Sequence, residues 1–148
     1  MGKPYILLIE DNADDVDLTI RAFEKNHIAN EVVVMRDGAQ ACGFLFDSQR
    51  AHTTGWPALI LLDLNLPKVS GLEVLQRVRA YEETRLLPTV ILTSSKQEED
   101  LLHGYRFGVN SYVRKPVDFN EFVEAVRQVG LYWLVLNEPP PAAGGGGM

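Results

Sequence analysis

Three strand-length runs of almost unbroken apolar residues, each stopping at polar ones, constrain this chain more than any other feature. Tyr5-Ile6-Leu7-Leu8-Ile9 runs into Glu10-Asp11-Asn12, the segment 58–62 (Ala-Leu-Ile-Leu-Leu) into Asp63, and Thr89-Val90-Ile91-Leu92 into Thr93-Ser94-Ser95. Unbroken rather than alternating hydrophobicity predicts strands covered on both faces, as in a parallel sheet. Segments 31–35, with three consecutive valines, and 111–114 read as two shorter strands. Helical stripes lie between them. One spans 14–25 with Val16, Ile20 and Phe23 on one face, and a second spans 38–49 with Ala41, Leu45 and Phe46. A third carries Leu72, Leu75, Val78 and Arg79 and continues to Glu82. A fourth, 97–107, stops at Gly108, a suitable left-handed cap, and a fifth, 120–136, is closed by Pro139, Pro140 and Pro141. Five strands alternating with five helices predict a doubly wound α/β fold with right-handed crossovers.

At 148 residues the chain fits one domain, and 46% hydrophobic with 23% charged residues is ordinary for a globular protein. Segment 47–57 reads as a loop, and the Pro/Gly-rich stretch 138–148 as a disordered tail. No signal peptide or membrane span is legible, and a single cysteine excludes an internal disulfide, so a reducing cytoplasm is the expected location. Cys42 reads as a small buried apolar residue, since no basic residue adjoins it in sequence. A net charge of −6 argues against nucleic-acid binding, which needs a basic face. His27, His52 and His103 are scattered without metal-ligand spacing and read as surface residues.

In an open α/β sheet, ligands bind beyond the carboxyl ends of the strands. Glu10 and Asp11 follow the first strand, Asp63 the third, Thr93 the fourth and Lys115-Pro116 the fifth. Each has a plain structural reading beside the functional one. Asp11 could cap the first helix, Asp63 could open a turn with Asn65 and Pro67, Ser95 could be an N-cap, and Lys115 could be solvated. Together they describe one pocket of three carboxylates, a hydroxyl and an ammonium. Two unit charges ~4 Å apart repel by about 4 kcal/mol at an effective dielectric of 20, so a hard divalent cation would relieve the site. Without a His/Cys cluster, Mg²⁺ or Mn²⁺ fits better than zinc. A carboxylate can accept a phosphoryl group, and Asp63 is the nucleophile candidate, with Lys115 and Thr93 to meet the phosphoryl oxygens.

The set Ile9-Glu10-Asp11-Asn12, Leu61-Leu62-Asp63-Leu64-Asn65-Leu66-Pro67 with Gly71, Leu92-Thr93-Ser94-Ser95 and Tyr112-Val113-Arg114-Lys115-Pro116 resembles the bacterial response-regulator receiver domain (CheY-like) over residues 3–137. The resemblance implies the flavodoxin-like strand order 2-1-3-4-5 and a phosphorelay role, with Asp63 accepting a phosphoryl group from a histidine kinase. It implies Mg²⁺ on Asp11, Asp63 and the backbone carbonyl of Asn65, with Glu10 acting through water. It further implies phosphoryl contacts from Thr93 and Lys115, a cis Lys115–Pro116 peptide, and a switch formed by Thr93 and Tyr112. The loop before the third strand and the ending 129–140 resemble the small regulators paired with phytochrome-type histidine kinases. Segment 131–136 is apolar on every side, more than one helix face can bury, which points to a homodimer through Leu131, Trp133 and Leu134. The competing class is a Mg²⁺-dependent phosphohydrolase with an aspartyl-phosphate intermediate. Such enzymes usually carry the nucleophile after the first strand and a second Asp two residues on, where this chain has Asn65.

Overall fold

The apolar runs become strands because neither of their faces tolerates water. In the computed structural model, which describes residues 5–47, 55–64, 66–93, 108–109, 111–114 and 119–130, β1 (Tyr5–Ile9) and β3 (Leu59–Leu62) are buried at every position. The remaining strands are β2 (Glu31–Met35), β4 (Thr89–Thr93) and β5 (Ser111–Arg114). The described helices are α1 (Ala13–Lys25), α2 (Gly38–Phe46), α3 (Gly71–Ala80) and α4 (Phe119–Gly130). All strand pairs are parallel, in the order β2-β1-β3-β4-β5. This is the expected flavodoxin-like arrangement, with β1 and β3 central and therefore the most apolar. The fourth expected helix, 97–107, lies outside the described residues, as do 131–136 and the tail.

Side chains alternate across the sheet and build a core on each face. Leu7, Ile9, Ile60, Leu62 and Ile91 meet Ala41, Cys42 and Leu45 of α2 and Val74, Leu75 and Val78 of α3. On the other face Ile6, Leu8, Leu59, Leu61, Val90 and Leu92 meet Val16, Ala22 and Phe23 of α1 and Phe122 and Val126 of α4. Each such side chain contributes about 1.5–3 kcal/mol when fully buried, so β1 and β3, buried at every position, supply a large share of the hydrophobic stabilisation. The helices α1 and α4 lie side by side, joined by the Asn26 amide, which donates to the carbonyls of Ala22 (2.8 Å) and Val123 (3.0 Å).

Helix ends differ from the sequence reading. The second helix stops at Phe46 with Asp47 extended, short of the expected Gln49. The third does not continue to Glu82: Tyr81 turns extended, and the amides of Thr84 and Arg85 donate to its carbonyl at 3.0 and 2.9 Å. The Thr84 hydroxyl also donates to the Val78 carbonyl at 2.7 Å, so a turn satisfies the acceptors that another helical residue would have used. The α1 stripe buries Thr19 and Ala22 between Val16 and Phe23, while the expected Ile20 is half-buried. Thr19 is tolerated there because its hydroxyl donates to the Asp15 carbonyl at 2.8 Å. The same helix closes with His27 in the left-handed region (φ 58°), its amide on Glu24 and that of Ile28 on Phe23, both at 3.0 Å. That is a Schellman motif in which an exposed histidine holds the position glycine usually takes.

Arg79, on the last turn of α3, fastens the lower edge of the sheet. Its Nε donates to the Gly108 carbonyl at 2.8 Å and its Nη1 to the carbonyls of Leu87 (2.9 Å) and Arg85 (3.2 Å). Burial pulls its pKa below the usual guanidinium range. Three carbonyls compensate the cation by hydrogen bonding.

Candidate metal centre

Parallel register brings the carboxyl ends of all five strands to one edge. Ile9 is paired with both Met35 and Leu62, Leu62 with Ile91, and Thr93 with Arg114. The β1–β2 and β1–β3 ladders each extend by one bond into the polar residues. The Glu10 amide donates to the Met35 carbonyl at 2.9 Å, and the Asp63 amide to the Ile9 carbonyl at 3.0 Å. The two acidic residues are thus fixed by the sheet itself rather than by loops.

Their side chains converge. Glu10, Asp11 and Asp63 each offer a carboxylate oxygen within 4.8 Å of the other two. Glu10 is 1% exposed and Asp63 7%, while Asp11 is open to solvent. Glu10 Oε2 also accepts the Asn12 amide at 3.3 Å. The cap of α1 is Asn12, whose Oδ1 accepts from the Asp15 amide at 3.0 Å, so the alternative role for Asp11 as helix cap does not hold. The side chain of Asp11 belongs to the cluster instead.

Three carboxylates at this spacing repel by about 3–4 kcal/mol per ionised pair at an effective dielectric of 20. Two ligand oxygens on one Mg²⁺ at ~2.1 Å are at most about 4.2 Å apart, so the cluster needs little contraction to grip such an ion. The donor set is all oxygen, with neither His nor Cys, which suits Mg²⁺ or Mn²⁺ and not zinc. The residues present fit a hard divalent cation.

A tightly packed turn follows Asp63. A Cβ on Gly71 would fall 2.2 Å from the Asp63 carbonyl oxygen and 2.6 Å from Leu64 Cα, so the start of α3 lies directly against the Asp63 backbone only because position 71 has no side chain. The Gly71 amide donates to the Leu64 carbonyl at 3.1 Å, and Ser70 caps α3 through the Glu73 amide at 3.2 Å. Sequence reading placed Gly71 in the motif without this reason for it.

Thr93 ends β4 at the same edge as Asp63, and Tyr112 lies in β5 opposite Ile91. Asn65, Lys115, the Lys115–Pro116 peptide, Leu131, Trp133 and Leu134 lie outside the described residues, and the side chains of Thr93 and Tyr112 are likewise not described. His27 is exposed, as expected; His52 and His103 fall outside. Cys42 is buried in the α2–α3 core, where burial pushes its thiol pKa up and the nearby Arg77 guanidinium partly offsets that. Sequence adjacency could not reveal Arg77, which comes from another helix.

The chain matches the response regulator receiver domain over residues 6–127. It is 40% identical over 138 residues to the probable methanogenesis regulatory protein FilR2 of Methanothrix harundinacea, covering 91% of this chain and 86% of that one. It is 35% identical over 129 residues to response regulator Rcp1 of Synechocystis, covering 87% and 88%. Among solved structures it is similar to the phosphorylated cyanobacterial phytochrome response regulator RcpA (TM-score 0.86, 34% identity, 95% and 100% covered). It is also similar to the Mn²⁺-bound form of response regulator Rcp1 (TM-score 0.84, 33% identity, 94% and 100%). The bacteriophytochrome response regulator RtBRR is 53% identical at a TM-score of 0.73, with 97% and 87% covered.

Proposed function

The chain belongs to the response regulator receiver domain family, and from that premise we propose that Asp63 takes a phosphoryl group from a phytochrome-type histidine kinase at a site where Glu10, Asp11 and Asp63 hold Mg²⁺ or Mn²⁺. The observation that carries this reading is the convergence of those three carboxylates within 4.8 Å at the carboxyl edge of the sheet. Asp63 is the acceptor because it is buried and its backbone is held by the β1 ladder, so its side chain presents a carboxylate oxygen at low entropic cost. That oxygen attacks phosphorus, an O–P bond forms, the P–N bond to the donor imidazole breaks, and the imidazole retains the electron pair and takes up a proton. A bound divalent cation would neutralise charge on the phosphoryl oxygens. Thr93 and Lys115 would meet the remaining oxygens, and the backbone carbonyl of Asn65 would complete the protein ligands. Glu10 accepts the Asn12 amide at the start of α1 and would reach the cation through water.

The added charge, about −1.5 to −2 at neutral pH, would draw Thr93 toward the phosphoryl group and shift Tyr112 with it. The phytochrome pairing is supported by the likeness to RcpA and RtBRR. A homodimer through Leu131, Trp133 and Leu134 is supported by the apolar composition of 131–136. The acidic net charge supports a role without nucleic-acid contact, and no helix among the described residues is long and apolar enough to cross a membrane. The phosphohydrolase alternative is not favoured: the acceptor follows the third strand, and position 65 is Asn rather than an acid that could activate water.

Intact-mass spectrometry after incubation with acetyl phosphate and Mg²⁺ tests the assignment. One phosphoryl group is expected on the native chain and none on Asp63→Asn or in excess chelator. A phosphoryl group that survives the substitution refutes it.

A further inference from the structure

The acidic cluster is flanked by a contact between two backbones that the chemistry itself does not require. Residues 66–70 lead from Asp63 to α3, and their far end rests on the first residue of α2. A Cβ on Gly38 would stand 1.9 Å from the Val69 carbonyl oxygen and 2.7 Å from both its carbonyl carbon and Cβ. Two backbone segments therefore touch, and no rotamer change can relieve an added methyl group. Beside this contact, Asp37 divides its carboxylate between two tasks. Its Oδ1 accepts the Gln40 amide at 2.7 Å and caps α2, while its Oδ2 faces Lys68 Nζ at 3.6 Å. Lys68 sits in the left-handed region (φ 68°), a conformation that a non-glycine residue adopts at a cost. The pairing with Asp37 and the packing on Gly38 favour that conformation. Asp37 is also tied to the cluster from the other side, since β2, which leads into it, accepts the Glu10 amide at Met35.

Resting on the divalent-cation reading above, we propose that Asp37 and Gly38 are positioning residues for the metal centre. Through Lys68 and Val69 they set the path of the chain between Asp63 and Gly71, and with it the affinity of the carboxylate cluster for a divalent cation. Neither residue touches the cation. Their effect passes along residues 69–71: Val69 rests on Gly38, and Gly71, two residues on, lies against Asp63 and Leu64. A displacement of Val69 is therefore transmitted to Asp63 instead of being absorbed by slack.

The test is Mn²⁺ titration of the full chain by electron paramagnetic resonance, with thermal midpoints recorded on the same samples. Gly38→Ala is expected to weaken Mn²⁺ binding by about tenfold, because changes in the residues supporting metal ligands typically cost about ten- to a hundredfold in affinity. Val126→Ala, in the core on the opposite face, is expected to lower the midpoint and leave Mn²⁺ affinity at the native value. Asp37→Asn keeps the capping oxygen and removes the charge facing Lys68. It is expected to fold and to weaken Mn²⁺ by about two- to fivefold, the size of a partly exposed ion pair. It carries the test by itself if Gly38→Ala does not fold. Native Mn²⁺ affinity in Asp37→Asn and in any folded Gly38→Ala, or an equal loss in Val126→Ala, overturns the positioning role. Failure of the native chain to bind Mn²⁺ overturns the cation reading, and this inference with it.

Discussion

Two glycines at helical positions make opposite predictions for the same substitution. In α2, a Cβ on Gly43 would meet nothing within 4 Å, and the residue is exposed. Gly43→Ala therefore removes only backbone freedom from the unfolded chain and should stabilise by about 0.5–1 kcal/mol. In α3, a Cβ on Gly71 would be 2.2 Å from the Asp63 carbonyl oxygen. Even a tight contact requires about 3.0 Å, so the Asp63 backbone or the start of α3 must give way by ~0.8 Å, and overpacking of that kind costs about 1–3 kcal/mol. A domain of this length loses about 2–4 °C of Tm per kcal/mol, so Gly71→Ala should melt several degrees lower and Gly43→Ala a few degrees higher. The rates should separate further than the stabilities. A nucleophile displaced by close to 1 Å can lose up to about 10²-fold in rate, whereas Gly43→Ala should leave it unchanged. The assay is initial phosphorylation by acetyl phosphate at saturating Mg²⁺, followed by intact mass, alongside circular-dichroism melts. If Gly71→Ala phosphorylates at the native rate, the close approach of α3 does not position Asp63, and the reasoning fails.

Three further outcomes follow from local chemistry. Arg79→Met should destabilise by about 2–3 kcal/mol in urea unfolding, because it deprives the carbonyls of Arg85, Leu87 and Gly108 of a charged donor; a loss under about 0.5 kcal/mol would show that water replaces it freely. His27→Gly should stabilise by about 0.5–1 kcal/mol by relieving φ 58° in the Schellman motif, and a lower Tm would count against that strain. The raised pKa of Cys42 lowers its thiolate fraction at any given pH, and burial shields it. Iodoacetamide at pH 8 should thus modify the native thiol about 10²-fold more slowly than the urea-unfolded one, and equal rates would contradict the burial.

The strands were legible because continuous burial on two faces leaves a continuous apolar record, and β1 and β3 fall within a residue of their sequence limits. Helix ends were not. Asp11 and Asn12 are both good caps, and only the bond from the Asp15 amide to Asn12 Oδ1 decides between them. The stop of α3 depends on Thr84 reaching back to Val78, a contact that no periodicity encodes. Of the metal centre, Glu10, Asp11 and Asp63 could be read from their places after apolar runs. The supports around them could not, since Gly38 and Gly71 matter through what stands opposite them in space. The available sign is the Asp37-Gly38 pair opening a helix after a strand, which by itself marks no more than a helix boundary.

The β2 strand forms one border of the sheet, and its three valines are only half-covered. Such a border can recruit a like strand from another molecule, most readily before α1 and α2 have docked. The exposed charges of Glu31 and Arg36 bracket the valines and act as gatekeepers against that self-association. Neutralising both would leave the native fold intact while making concentrated refolding prone to precipitate.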